Sequence, residues 1–168
     1  MEEIKIIDLT QTSDYNYKSF FTTGLIAHPD CFRISPSDEE KELFPTSGQT
    51  DSFTLGAVTS SGDLCGVVSF QREGTNRERI RHKGLLFRMY VSERFAGAGI
   101  GISLINHLLE KVKTGTDIEQ INLTVIHSNT RARMLYERLG FRSFSLEKKA
   151  IKFGDRYFDE EQMVLFLK

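Results

Sequence analysis

Apolar positions along this chain recur with two periods, and the switches between them mark the elements. "IKIIDL" (Ile4 to Leu9) reads as a first strand, and a helix is expected from about Ser13 to Phe21. A second helix starts at "SPSDEEKELF", where Ser35 can cap, Pro36 suits the first helical position and Asp38 completes a capping box. In "SFTLGAVT" (Ser52 to Thr59), Phe53, Leu55 and Ala57 alternate, and "SSGD" turns the chain into "LCGVVSF". "QREGTNRERIRHK" is a charged loop with strand ends, followed by "LLFRMYV" (Leu85 to Val91), whose Leu85, Phe87, Met89 and Val91 alternate on one face. Beyond "ERFAGAGIG", Ile102, Ile105, Leu109 and Val112 return at helical steps. "INLTVI" (Ile121 to Ile126) is a strand, and "NTRARMLYERLGF" carries Ala132, Leu135 and Leu139 on one helical face and stops at Gly140. Two strand-like stretches around Gly154 and Asp155 close the chain. The pattern predicts a mixed α/β (α+β) sheet with helices packed on it, and the length of 168 residues suits one domain over 1–168.

Composition narrows the classes. A net charge of −1 gives no global field to draw in nucleic acid or an anionic membrane. Cys31 and Cys65 cannot form a disulfide framework, and the acidic "MEEIKIIDLT" lacks the features of a signal peptide. The longest apolar run, Met163 to Leu167, is far too short to span a membrane. A reducing cytoplasm is the expected compartment.

The chemistry concentrates at the glycines. Gly97, Gly99 and Gly101 alternate between a strong strand and a strong helix. A tight turn without ligand would account for two glycines; three in this setting favour an anion site, where backbone comes close and free helix N–H groups meet a phosphate. The Gly-Lys-Ser/Thr ending of a triphosphate loop is absent. A dinucleotide fingerprint would read G-x-G-x-x-G, although Asp117 and Glu119 lie where its ribose-binding acid would stand. That fingerprint follows the first strand of a βαβ unit, whereas these glycines follow a meander.

"MYVSERFAGAGIG" and "NTRARMLYERLGF", in this order and with a strand between them, resemble the two motifs of the GNAT superfamily of acetyl-CoA-dependent N-acetyltransferases. The resemblance runs from about residue 85 to 168. It implies a mostly antiparallel central sheet flanked by helices, acetyl-CoA as co-substrate without a metal, and an acceptor amine on a small molecule or a protein. It further implies that the backbone of Met89, Tyr90 and Val91 pairs with the pantetheine arm, one N–H there polarising the thioester carbonyl. The loop from Ala96 through Gly97, Ala98, Gly99, Ile100 and Gly101 to Ile102 would wrap the pyrophosphate, with the N–H groups from Gly97 onward as donors. Asn129 and Ala132 would border the cofactor arm, Asn129 serving equally as a plain helix cap. Tyr136 would be the general acid for the departing thiolate. Homodimers are common in the family, but no feature of this chain shows one.

The chain departs from the family pattern at Ala96, where Arg or Gln is expected, and at Ala98, where a basic residue is frequent. Arg94, Arg131 and Arg133 are the nearby cations that could take over phosphate contacts. No general base stands out: Glu73, Glu78, His82 and His127 each read as surface groups, and His28 and Cys31 as structural. The cluster Arg77, Arg79, Arg81, His82 and Lys83 reads as a solvated loop, since no aromatics interleave. Direct acetyl transfer in a ternary complex is the expected function. The alternatives are a non-catalytic CoA-binding sensor of the same fold and, more distantly, a nucleotide-dependent oxidoreductase.

Overall fold

A computed structural model of the chain describes residues 2–12 and 15–168. Seven strands form one sheet: β1 (Ile4–Asp8), β2 (Phe53–Thr59), β3 (Leu64–Arg72), β4 (Lys83–Val91), β5 (Gln120–Ile126), β6 (Arg142–Phe153) and β7 (Arg156–Phe166). Their order is β1-β2-β3-β4-β5-β7-β6, and every neighbouring pair is antiparallel except β4 and β5. On one face lie α1 (Tyr17–Ala27) and α2 (Pro36–Lys41); on the other lie α3 (Ile100–Gly115) and α4 (Thr130–Arg138). This is the expected mixed, mostly antiparallel sheet flanked by helices.

Each face has its own core. Under α3 the fully buried Leu104, Ile105, Leu108 and Val112 meet Val68, Phe70 and Ile121 of the sheet. Each such side chain stabilises the fold by about 1.5–3 kcal/mol relative to exposure. Under α1, Phe21 and Leu25 pack on Val67 and Tyr90. The Tyr90 ring lies 2.8 Å from where a Cβ at Gly24 would stand, so helix and strand approach to ring thickness.

Local signals set most boundaries. Ser35 accepts a hydrogen bond from the Asp38 N–H, and Asp38 accepts one from the Ser35 N–H, so the capping box forms as written in the sequence. The first helix differs. It starts after Asn16, whose side chain accepts from the Ser19 N–H, and continues to Ala27, past the expected end at Phe21. Burial of Gly24 and Leu25 overrides the weak helix propensity of "TTG" there. Ser13 and Asp14, at its expected start, lie outside the described residues.

Two irregularities in β4 shape everything downstream. Val67 faces Tyr90 but Ser69 faces Phe87, so two residues, Arg88 and Met89, oppose Val68 alone. This is a β-bulge, and Arg88 takes a left-handed backbone with φ 51°. The expected single face of Leu85, Phe87, Met89 and Val91 is therefore broken. Leu86 joins Met89 and Val91 against the α3 core, while Arg88 and Tyr90 turn to the α1 side. The second irregularity is that β4 and β5 pair only from Lys83–Leu85 to Gln120–Asn122. Beyond that point the strands part, and β5 is held by its full-length ladder with β7.

Candidate active site

Where β4 and β5 part, two connected chambers open. The outer one, about 370 Å³, lies between the end of β4, the glycine loop and the first turns of α3 and α4. The inner one, about 470 Å³, lies in the wedge between the strands. They share the walls made by Cys31, Phe32, Met89, Asn129, Ala132 and Leu135.

The parted strands leave backbone groups without a ladder partner. Ser92 N–H donates to the Cys65 carbonyl across β3. Alternation along an antiparallel pair then turns Tyr90 towards β3 and directs the N–H and C=O groups of Val91 to the open side, with Met89 at the bulge just before it. Met89, Tyr90 and Val91 all line the outer chamber.

The three glycines do different work. Gly97 and Gly99 have φ of 79° and 78°, a left-handed backbone that strongly favours glycine. Nothing lies within 4 Å of a Cβ placed at either, so the space above the loop is open. Gly99 is the N-cap of α3 and provides no side-chain cap. The N–H groups of the first turn, Ile100, Gly101 and Ile102, consequently face the chamber end without a capping side chain. Gly101 is the packing glycine: a Cβ there would stand 3.2 Å from Leu135 Cδ2 and from Met89 Cε. Ala96 and Ala98 do not line either chamber. Their N–H groups are spent inside the loop, on the Glu93 carbonyl at 3.0 Å and the Phe95 carbonyl at 3.2 Å.

On the opposite wall, Asn129 caps α4 by accepting from the Ala132 N–H at 3.2 Å. That bond uses the amide oxygen and leaves the NH2 group over the junction of the chambers. Tyr136 lies one turn beyond Ala132 and lines the inner chamber beside Thr124 and Leu135. Burial pushes its phenol far above the ordinary tyrosine range.

The charged residues sort themselves by position. Arg131 and Arg138 line the outer chamber, whereas Arg133 points away to Glu161 at 3.1 Å and Arg94 lies over the Phe95 ring. Glu161 also accepts from His127 Nδ1 at 2.7 Å. Burial raises the Glu161 carboxyl, but the bonds from His127 and Arg133 outweigh it and hold the group below its usual range. Glu73, Glu78 and His82 lie away from both chambers, and Asp117 is taken by Arg72, which also binds Asp51. Among the described residues no cluster of three or more His, Cys, Asp or Glu could hold a metal ion.

Sequence reading missed the near wall. His28 and Cys31, expected to be structural, line the outer chamber, with His28 Nε2 3.3 Å from Glu93. Phe32 lines both chambers, and Arg33 and Arg88 line the inner one. No motif surrounds these residues; only the approach of the segment after α1 to the wedge reveals them. Burial, with Asp30 nearby, raises the Cys31 thiol above its ordinary range.

An extended groove between parted strands, ended by an uncapped helix start, suits a long ligand with an anionic head, and the fold around it is that of acyltransferases. The chain belongs to the acetyltransferase (GNAT) family, whose profile matches residues 19–141. It is similar in structure to a GCN5-related N-acetyltransferase from Kribbella flavida, at 19% identity, with 98% of each chain covered and a TM-score of 0.81. An acetyltransferase of the GNAT family from Streptococcus pneumoniae is similar at 19% identity over 98% of this chain and 100% of that one, with a TM-score of 0.75. A phosphinothricin acetyltransferase from Sinorhizobium meliloti, solved in complex with acetyl-CoA, is similar at 22% identity over 69% of this chain and 61% of that one, with a TM-score of 0.62. Among the described residues no helix is long and apolar enough to cross a membrane.

Proposed function

We infer that the chain, as one domain in the cytoplasm, transfers an acetyl group from acetyl-CoA to a primary amine by direct attack in a ternary complex. The observation that carries this reading is the open edge of Met89 to Val91 leading straight to the uncapped first turn of α3. The fit is physical. Open space over two left-handed glycines admits a phosphate to the backbone, and the helix dipole favours its charge. Arg131 and Arg138 supply from the facing wall the cations that Ala96 and Ala98 do not, which supports binding of the CoA phosphates.

Acetyl-CoA supplies an acetyl group on a thioester whose thiol, with a pKa near 8.5, is a fair leaving group. The N–H of Val91 aims into the groove and can stabilise negative charge developing on a carbonyl oxygen there. Asn129 borders the same junction and offers its amide hydrogens. Tyr136 remains protonated at any physiological pH. So weak an acid donates a hydrogen bond to a leaving sulfur and gives up its proton only as it gains one from the attacking amine. A thiol raised by burial is a poor nucleophile, so Cys31 supports direct transfer over an acetyl-cysteine route.

Calorimetric titration with acetyl-CoA, using NADH as control, is the test. Micromolar or tighter binding of acetyl-CoA alone, followed by amine-dependent thiol release that Tyr136→Phe lowers about a hundredfold, supports the transferase. Binding without release under any amine leaves the sensor, and binding of NADH instead would sink both.

A further inference from the structure

The inner chamber carries information about the acceptor. Its charged wall residues are two arginines, Arg33 and Arg88, and no carboxylate lines it among the described residues. A site for a polycationic amine needs the reverse, because ammonium groups leaving water require carboxylates in the walls.

The two arginines are held differently. Arg88 sits at the bulge, ion-paired with the buried Glu39 and stacked over the Phe21 ring at 5.2 Å. Arg33 has a side chain 66% exposed, yet its Nε lies 2.8 Å from Oε2 of Glu160, a carboxylate only 4% exposed. A guanidinium carries five N–H donors, and an ion contact near Nε holds the head in place while leaving the terminal NH2 groups as a fork. Glu160 is an expensive anchor. Its Oε2 accepts no aligned hydrogen bond, and Glu147 faces it across the β6–β7 ladder. Burial, assisted by Glu147, raises its carboxyl despite Arg33. Exposed ion pairs return little stability, so a buried carboxylate spent on an exposed arginine points to a demand for position. Phe21, Phe32, Ile34 and Phe87 give the rest of the chamber a largely apolar wall, with Thr124, Asn129 and Tyr136 as its neutral polar groups.

We propose that the acceptor is an amino acid with an apolar side chain, its carboxylate docking on the Arg33 fork and its amine facing the Met89–Asn129 junction. This rests on the transferase reading. Arg33 determines specificity, and Glu160 positions it.

The test uses the full chain with saturating acetyl-CoA and follows thiol release. The acceptors are L-leucine, L-methionine and L-phenylalanine, each beside its C-terminal amide and its decarboxylated amine, with spermidine and a peptide amide as further controls. At least one acid should exceed its amide about tenfold or more in kcat/KM. Arg33→Gln should raise KM for that acid roughly ten- to a hundredfold, the worth of one or two charge-assisted hydrogen bonds, and Arg33→Lys should recover part of it. Glu160→Gln should raise KM for the acid while raising Tm, a combination that a purely structural role would not give. Acetyl-CoA affinity reports that each variant is folded. Faster turnover of amides, amines, spermidine or peptide overturns the proposal, as does an acid preference untouched by Arg33→Gln. If no acceptor releases thiol, calorimetry of the three acids decides: binding lost in Arg33→Gln keeps the carboxylate site and sinks the transferase, and no binding sinks both.

Discussion

Replacing Gly99 with alanine isolates the backbone role of the loop from every packing effect. Its φ is 78°, and a Cβ there would touch nothing within 4 Å, so the cost is conformational alone. An L-residue held left-handed costs about 1–2 kcal/mol. In a chain of this length that should lower Tm by about 2–8 °C. Should the loop relax to negative φ instead, the N–H groups at the start of α3 turn from the chamber. Each lost charge-assisted bond is then worth roughly 1.5–3 kcal/mol, about tenfold or more in acetyl-CoA affinity. Gly101→Ala is the internal control. Its Cβ would meet the tips of Leu135 and Met89 at 3.2 Å, flexible ends that can yield, and alanine gains up to about 1 kcal/mol of helix propensity. Gly101→Ala should therefore stay close to wild type in both Tm and affinity. Scanning calorimetry and acetyl-CoA titration on the two variants provide the assay. The reasoning fails if Gly99→Ala binds as tightly as wild type at an unchanged Tm, or if Gly101→Ala loses as much as Gly99→Ala.

Tyr136→Phe should lower kcat about a hundredfold, the usual worth of a positioned proton donor, with acetyl-CoA affinity held within about twofold by calorimetry. Cys31→Ser should retain most of kcat in the same assay, because direct transfer needs no thiolate; loss of turnover with a trapped acetyl-enzyme would refute it. Burial, partly offset by Arg88, pushes the Tyr17 phenol up to about 12. Above pH 10 the unfolded chain gives up that proton while the folded chain keeps it, so stability is complete below pH 10 and falls as pH rises to 12. The loss is on the order of 2 kcal/mol, and denaturant melts across this range should show Tyr17→Phe lacking that part of the decline. Glu161 behaves in the opposite sense: its lowered carboxyl stabilises the fold above the ordinary glutamate pKa, and that contribution is lost as pH falls. Glu161→Gln should cost about 1–3 kcal/mol at pH 7 and much less in acid, read from the same melts.

The sequence by itself determined whatever depends on neighbours in the chain. The capping box of Ser35 and Asp38, the helix start at Asn129, the alternation through β2 and the apolar stripe of α3 are short-range devices, legible because each works within about four residues. The glycine loop was legible for the same reason, since a left-handed backbone at Gly97 and Gly99 is a local demand. Other features required the assembled sheet. The alternation of "LLFRMYV" conceals the bulge at Arg88, because an extra residue is defined only against the partner strand β3. The parting of β4 from β5 is a fact of pairing that neither strand encodes alone. The α1 helix outran its expected end because the Tyr90 ring, some sixty residues away in the chain, packs on Gly24. Arg33 and Glu160 lie at opposite ends of the sequence, and Cys31 and Phe32 carry no pattern, yet folding sets them around one wedge. Local periodicity and capping fix elements through short-range sterics and hydrogen bonds. A chamber between strands is made by burial and charge pairing across the whole chain, and only the tertiary structure decides it.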